Sequence, residues 1–361
     1  MADRLIAIRN ALILFALSWA ASRRHAVGGR RLHRLLARLR QETTILLPAG
    51  ILLACSSPPP PSDSAVSASA NRTVGVDAWE RGDFATAYGE WKPLAQQGDS
   101  DAQYNLGAWY YHVERDYANA AKWWREAAQQ GHPLAQHDLG GLFVLGQGVP
   151  QSDAEAAGWF LLAAEQGHPM AQYNLGASYY FGEGVPHDYA QAAVLFRKAA
   201  IADIPMAQQN LGSMYVQGLG VEQNYQDAAK WFERASEQSV EEALSNTGAF
   251  EAGHLGRKFP VLAGASSPTM ETYREGIVYT LATAKGALGE LYAMGLGVPR
   301  DYVRAHKWLS LAAASLPPGD ERDYFAESRD YLALQMSPHE IAEAQRMARE
   351  WLEHHPTGGD Q

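Results

Sequence analysis

Four G-x-G-V runs, Gly146–Val149, Gly182–Val185, Gly218–Val221 and Gly295–Val298, hold the glycine spacing from which phosphate-binding loops are built. A dinucleotide fingerprint also needs a third glycine three residues further on, after a strand. Gln151, His187, Gln223 and Arg300 stand there instead, and helical patterns precede each run, so the four runs read as turns. Twelve histidines raise the question of metal ligation. The zinc-protease pattern H-E-x-x-H is absent, His132 and His168 fall in Gly-His-Pro steps between helices, and His354-His355 lies close to the carboxyl end. Nucleophilic chemistry has no better footing, because there is no G-x-S-x-G elbow and no lysine has a serine three residues before it. A glycosidase would need two carboxylates held about 5–10 Å apart across a cleft, and nothing in the sequence pins such a pair. The expectation is a protein with no catalytic residues, no metal and no cofactor.

One further residue has chemistry of its own. Cys55 is the single cysteine, which excludes an internal disulfide and any zinc site built on several thiolates. It follows Leu52-Leu53-Ala54 at the end of an apolar stretch, Thr43–Ala54, and precedes Ser56-Ser57 and four prolines. That arrangement resembles the lipobox of bacterial lipoproteins, which implies lipidation of Cys55 and a tether behind it. The other reading is an apolar cysteine in an ordinary export signal or anchor. Another apolar stretch, Ala11–Ala21, is separated from the first by seven arginines between Arg23 and Arg40. Both stretches are shorter than the roughly 20 residues that span a bilayer as a helix. Residues 1–54 are expected to be an export region, with 1–26 a mis-assigned start, and 55–73 a Pro/Ser-rich linker. The expected location is the periplasm or the periplasmic face of the outer membrane; a membrane-anchored or cytoplasmic protein is expected if the region is not a signal.

Charge divides at the same place. Residues 1–54 carry nine Arg against Asp3 and Glu42, a net of +7, and residues 55–361 carry 21 Lys+Arg against 38 Asp+Glu, a net of −17. Nucleic acid is bound by basic patches that displace counterions, so an acidic body excludes that role.

What must position any site is an internal repeat. AQYNLG at Ala102, AQHDLG at Ala135, AQYNLG at Ala171 and AQQNLG at Ala207 are followed by weaker copies, ALSNTG at Ala243 and AKGALG at Ala284. Their closing glycines, Gly107, Gly140, Gly176, Gly212, Gly248 and Gly289, are spaced 33, 36, 36, 36 and 41 residues apart. Within a copy, Ala171, Leu175 and Tyr179 form one helical stripe, and Gly182 to Pro186 ends that helix. Asp188 caps a second helix, whose buried face carries Tyr189, Ala192, Ala193, Phe196 and Ala199. Trp124, Phe160, Phe196, Phe232 and Leu309 are expected to fill the gaps between units.

These copies resemble Sel-1-like repeats, relatives of the tetratricopeptide repeat. The resemblance implies an all-α, right-handed solenoid of stacked antiparallel helix pairs over 74–316. Its units are a half-unit with a short first helix (74–98), repeats 99–131, 132–167, 168–203 and 204–239, a degenerate copy 240–282, and a last repeat 283–316. A helical cap and tail follow over 317–361, in which Ser337-Pro338-His339-Glu340 has the pattern of a capping box. The stretch 249–283 reads as a decayed repeat or a frameshift, or else as a binding loop.

If the first helices line a concave face as in tetratricopeptide repeats, the groove residues are Tyr104, His137, Tyr173 and Gln209, with Tyr111, Val144, Tyr180 and Val216. The family resemblance implies a monomeric, non-enzymatic scaffold for protein or peptide partners. An envelope protein that binds or hydrolyses peptidoglycan or another carbohydrate is the rival reading.

Overall fold

The structure, a computed structural model, describes residues 68–247 and 270–355. Internal contacts divide the chain into Met1–Leu47 and Pro48–Gln361, and every described residue belongs to the latter. Cys55, the apolar stretches around it and residues 248–269 lie outside the described residues.

Fifteen α-helices, and no strand, occur among the described residues. They run in pairs: α1 (Ala68–Glu80) with α2 (Phe84–Gln96), α3 (Ser100–Trp109) with α4 (Tyr117–Gln129), and α5 (Pro133–Leu145) with α6 (Asp153–Glu165). Next come α7 (Pro169–Phe181) with α8 (Tyr189–Ile201) and α9 (Pro205–Gln217) with α10 (Tyr225–Ser236). A short α11 (Val240–Asn246) precedes the long α12 (Met270–Met294), which pairs with α13 (Tyr302–Ser315). The end is formed by α14 (Asp320–Ala333) and α15 (Pro338–His354). Each second helix packs on its own first helix and on the next one, which is the stacking of a solenoid.

Local chemistry explains the boundaries. Asp99, Asp116, Asp188 and Asp301 accept backbone N–H bonds at helix starts, and His132 and His168 do the same through Nδ1 ahead of Pro133 and Pro169. In the G-x-G-V turns the second glycine must be glycine twice over. Gly184 has φ +73, and a Cβ there would lie 2.0 Å from the Asp153 carbonyl oxygen of the preceding unit. The first full repeat lacks this turn. Its first helix instead ends in a π turn, Tyr110–Glu114, and a left-handed Arg115.

Four of the closing glycines let a ring approach the first helix. A Cβ on Gly107 would meet the Trp124 ring at 2.3 Å, and one on Gly140, Gly176 or Gly212 would meet Phe160, Phe196 or Phe232 within 2.9 Å. Trp124, Phe160, Phe196 and Phe232 are at most 2% exposed, and Leu309 over Gly289 is equally buried.

Two expectations about organisation are corrected. The linker ends earlier than residue 73, and the opening unit is not a half: helix begins at Ala68, and Gly75 sits beneath Trp91 as Gly107 sits beneath Trp124. Ala70 and Gly75 are all that survives of the hexapeptide there, too little to reveal the copy. Nor does the degenerate copy 240–282 stack as a unit. Gly297 closes against the Tyr225 carbonyl, the contact that Gly220 makes with Tyr189 one unit earlier. Phe232 packs in one cluster with Ala282, Ala284 and Leu288 of α12. Repeat 283–316 therefore lies directly on repeat 204–239. The 41 extra residues, 240–280, are an insertion between them, and Leu244 of α11 packs with Ile277 and Leu281 in the first half of α12.

Candidate functional site

The hexapeptide A-Q-x-N-L-G is the most regular feature of the chain, and its side chains are occupied with stacking. The glutamine amide donates back to the preceding unit: Gln103 to the Ala95 carbonyl (3.1 Å), Gln136 to Ala128 (3.1 Å), Gln172 to Ala164 (3.3 Å) and Gln208 to Ala200 (3.1 Å). Three of these side-chain carbonyls accept in turn from Gln130, Gln166 and Gln238, each at 2.7 Å. A buried amide left without such partners would cost about 1–3 kcal/mol, so the pattern is required by burial.

The variable third residue reaches forward. The Tyr104 hydroxyl donates to Asp138 (3.1 Å), the Asn174 amide meets His137 Nε2 (3.1 Å), and Asn210 hydrogen-bonds Tyr173. The other ring nitrogen of His137, Nδ1, lies 2.8 Å from the Asp138 carboxylate. Around this junction His168 stacks on His137 with ring centroids 4.7 Å apart, and His132 stacks on Tyr104 at the same separation.

This geometry corrects half of the expected groove. Tyr104 and His137 are 0% exposed, Tyr173 4% and Tyr111 2%, so these four lie between units and offer no surface. The reason is that a residue three before the closing glycine points along the stack towards the next unit. The Tyr111 ring packs over Trp124 at 5.4 Å and its hydroxyl reaches Gln147. Val144, Tyr180, Gln209 and Val216 are half-buried.

What remains half-exposed near the ends of the first helices is a row the sequence reading missed. Three residues after the closing glycines stand Tyr110, Phe143, Tyr179, Tyr215 and Tyr292. The signal was present as an aromatic recurring at one repeat position. Tyr110, Tyr179 and Tyr215 are half-buried, while Phe143 and Tyr292 are nearly covered; Val144, Tyr180 and Val216 follow Phe143, Tyr179 and Tyr215 in sequence.

Second-helix cations attend this row. Arg197 donates to the Tyr215 hydroxyl at 2.7 Å, Arg304 to that of Tyr292 at 3.2 Å, and the Arg125 guanidinium lies 5.9 Å from the Phe143 ring centre. Lys92 donates to Tyr88 at 2.8 Å, and Tyr88 in turn meets Tyr110 at 3.5 Å. The Lys92 bond lowers Tyr88, whereas the bond to Tyr88 and then burial push Tyr110 up to about 12. Burial, then the neighbouring Tyr189, raises Tyr180 well above its ordinary value. The row presents neutral rings and hydroxyls beside fixed cations, a surface suited to recognition.

No described helix is long and apolar enough to cross a membrane. Among the described residues no group of three or more His, Cys, Asp or Glu is placed to hold a metal ion.

The profile of the Sel1 repeat matches residues 100–132, 133–168, 169–203, 205–240 and 283–315. Among solved structures, a Sel1 repeat protein from Oxalobacter formigenes is similar at 25% identity, with 89% of this chain and 76% of that chain covered and a TM-score of 0.52. A protective antigen of uropathogenic Escherichia coli strains, displaying an SLR fold, aligns at 22% identity over 80% of this chain and 84% of its own, with a TM-score of 0.45. No curated protein matches the chain.

Proposed function

On the premise that this chain is a Sel1 repeat protein, a class that generally serves in protein-interaction scaffolds, we propose that it assembles partner proteins at the bacterial cell envelope. The observation that carries the reading is the tyrosine row. With the repeat hexapeptide committed to stacking, Tyr110, Tyr179 and Tyr215, beside Lys92 and Arg197, recur at one repeat position and stay partly open to a partner. Tyrosine gives large contact area at low entropic cost, which favours it at binding hot spots.

The envelope part rests on the sequence around Cys55: a basic segment, an apolar stretch, Leu52-Leu53-Ala54-Cys55 and a proline run. Lipidation at Cys55 would tether the array by its amino-terminal end and leave the repeats free.

The test is crosslinking in cells followed by pull-down from the membrane fraction, with the double variant Tyr215→Ala/Arg197→Ala and, separately, Cys55→Ser. The row variant is expected to lose the crosslinked partner while keeping its helical circular dichroism; undiminished capture by a folded variant removes the row from the reading. Cys55→Ser is expected to move the protein out of the membrane fraction. Release of fragments from purified peptidoglycan by the wild type would favour the carbohydrate reading instead.

A further inference from the structure

The second helices carry a line of side chains whose order points to the chemistry of a partner. Three residues before Ala95, Ala128, Ala164 and Ala200, whose carbonyls receive the glutamine clamps, stand Lys92, Arg125, Leu161 and Arg197. The same bond at four successive junctions gives each unit the same offset from the last, so these four residues follow one another along the stack. All four reach the surface: the three cations are half-buried and Leu161 is 42% exposed. On α10 the corresponding place is held by Glu233, and there the line ends in an exposed carboxylate.

Each cation is fixed by an aromatic residue, and none by a carboxylate. Lys92 is held by the Tyr88 hydroxyl, Arg197 by that of Tyr215, and Arg125 lies against the Phe143 ring. Among the described residues none of the three forms an ion pair, although residues 55–361 carry 38 Asp+Glu against 21 Lys+Arg. Off the line, on α10, Lys230 and Arg234 do find counter-charges, Asp227 at 2.9 Å and Asp203 at 2.7 Å. Glu114, the carboxylate that bears on Tyr88 and Tyr110, forms no ion pair with Lys92. In a chain with such an excess of acid, cations kept without counter-charge at one register, and already held in place, are pre-organised for carboxylates arriving from outside.

We propose that this line binds an extended protein segment that carries acidic side chains with an apolar one among them, its carboxylates meeting Lys92, Arg125 and Arg197 and its apolar residue meeting Leu161. This deepens, and rests on, the reading of the tyrosine row as a partner surface, because the same cations attend both. Leu161 selects a polypeptide over a nucleic acid, whose unbroken phosphate charge would have to cross an exposed aliphatic side chain between Arg125 and Arg197.

The experiment is a titration of the full chain into a fluorescein-labelled peptide of repeated Glu-Glu-Leu triplets, read by anisotropy at low and high salt. The chain carries a net charge of −10, so non-specific attraction would favour a Lys-Lys-Leu peptide of the same length. The opposite order is expected, with affinity for the acidic peptide falling as salt rises. Arg125→Gln and Arg197→Gln are each expected to weaken it roughly fivefold, the effect of one half-exposed ion pair, with helical circular dichroism retained. Lys230→Gln, the same charge change off the line, is expected to leave it unaltered. No binding by wild type, preference for the basic peptide, or equal losses in Arg125→Gln and Lys230→Gln overturns the proposal. Unchanged affinity in folded Arg125→Gln and Arg197→Gln also overturns it, since binding would then lie with the nine arginines of residues 1–54. Tighter binding of an oligothymidylate of matched charge overturns the peptide assignment. The row itself answers to the crosslinking experiment: a Tyr215→Ala/Arg197→Ala variant that loses its cellular partner, while wild type ignores the acidic peptide, keeps the row and overturns the acidic ligand.

Discussion

At the scale of single residues, the polar side chains of the stack do structural work that constrains their protonation. His168 caps α7 by accepting the Ala171 N–H at Nδ1, at 3.1 Å. Burial, and then His137 and His132, hold its imidazole well below the usual range. An unfolded histidine takes up its proton near pH 6.5, while the folded one resists, so this contribution is fully present above about pH 6.5 and is lost as pH falls through the lower folded value. Glu290 acts in the opposite direction. Burial raises it to about 7 against the bond donated by Tyr324, so its contribution is complete below the ordinary carboxylate range and is lost as pH rises through about 7. The comparison that isolates His168 is therefore between proteins. The melting temperature of wild type should fall from pH 7.5 to 5, and that of His168→Asn should fall less, because asparagine keeps a capping acceptor without titrating. Equal slopes would remove His168 from the acid response. Packing residues carry larger effects: Phe196→Ala should cost about 3–5 kcal/mol by chemical denaturation, since the ring is 1% exposed against Gly176.

At the scale of elements, the insertion 240–280 makes a prediction about register. Joining Ser239 to Leu281 by removing 240–280 restores the 36-residue spacing between Gly212 and the following closing glycine. The shortened chain should melt cooperatively and keep its helical circular dichroism, because the Gly297–Tyr225 contact already joins the flanking units. Collapse of the shortened chain would show instead that α11 and the start of α12 hold the junction. Helix pairs, caps and turns were legible in the sequence, because glycine, proline and the capping acids act locally. The opening unit was not, since only Ala70 and Gly75 of its motif persist and its identity lies in the Gly75–Trp91 contact. The direction of Tyr104 and His137 was also hidden. Periodicity shows which helix face a residue shares, but not whether that face meets the next unit or a partner. The tyrosine row could be counted in the sequence, and its part-exposure could not.

At the scale of the whole array, neighbouring units hold one another, so damage should stay local at an end and spread from the middle. Trp91→Ala should raise amide exchange over 68–96 and leave 169–236 protected, whereas Phe196→Ala should raise exchange on both sides of its own unit. Uniform loss of protection in both variants would mean that the array unfolds as one block. The insertion also bears on covalent continuity. Where repeat 283–316 meets repeat 204–239, the contact atoms come from stretches separated by 41 extra residues of chain, and the fit of Gly297 to Tyr225 makes no use of the peptide bonds between them. A cut within 248–269 should accordingly yield two pieces that stay together through gel filtration, the carboxyl-terminal piece docking onto the open side of α10 as a separate subunit would.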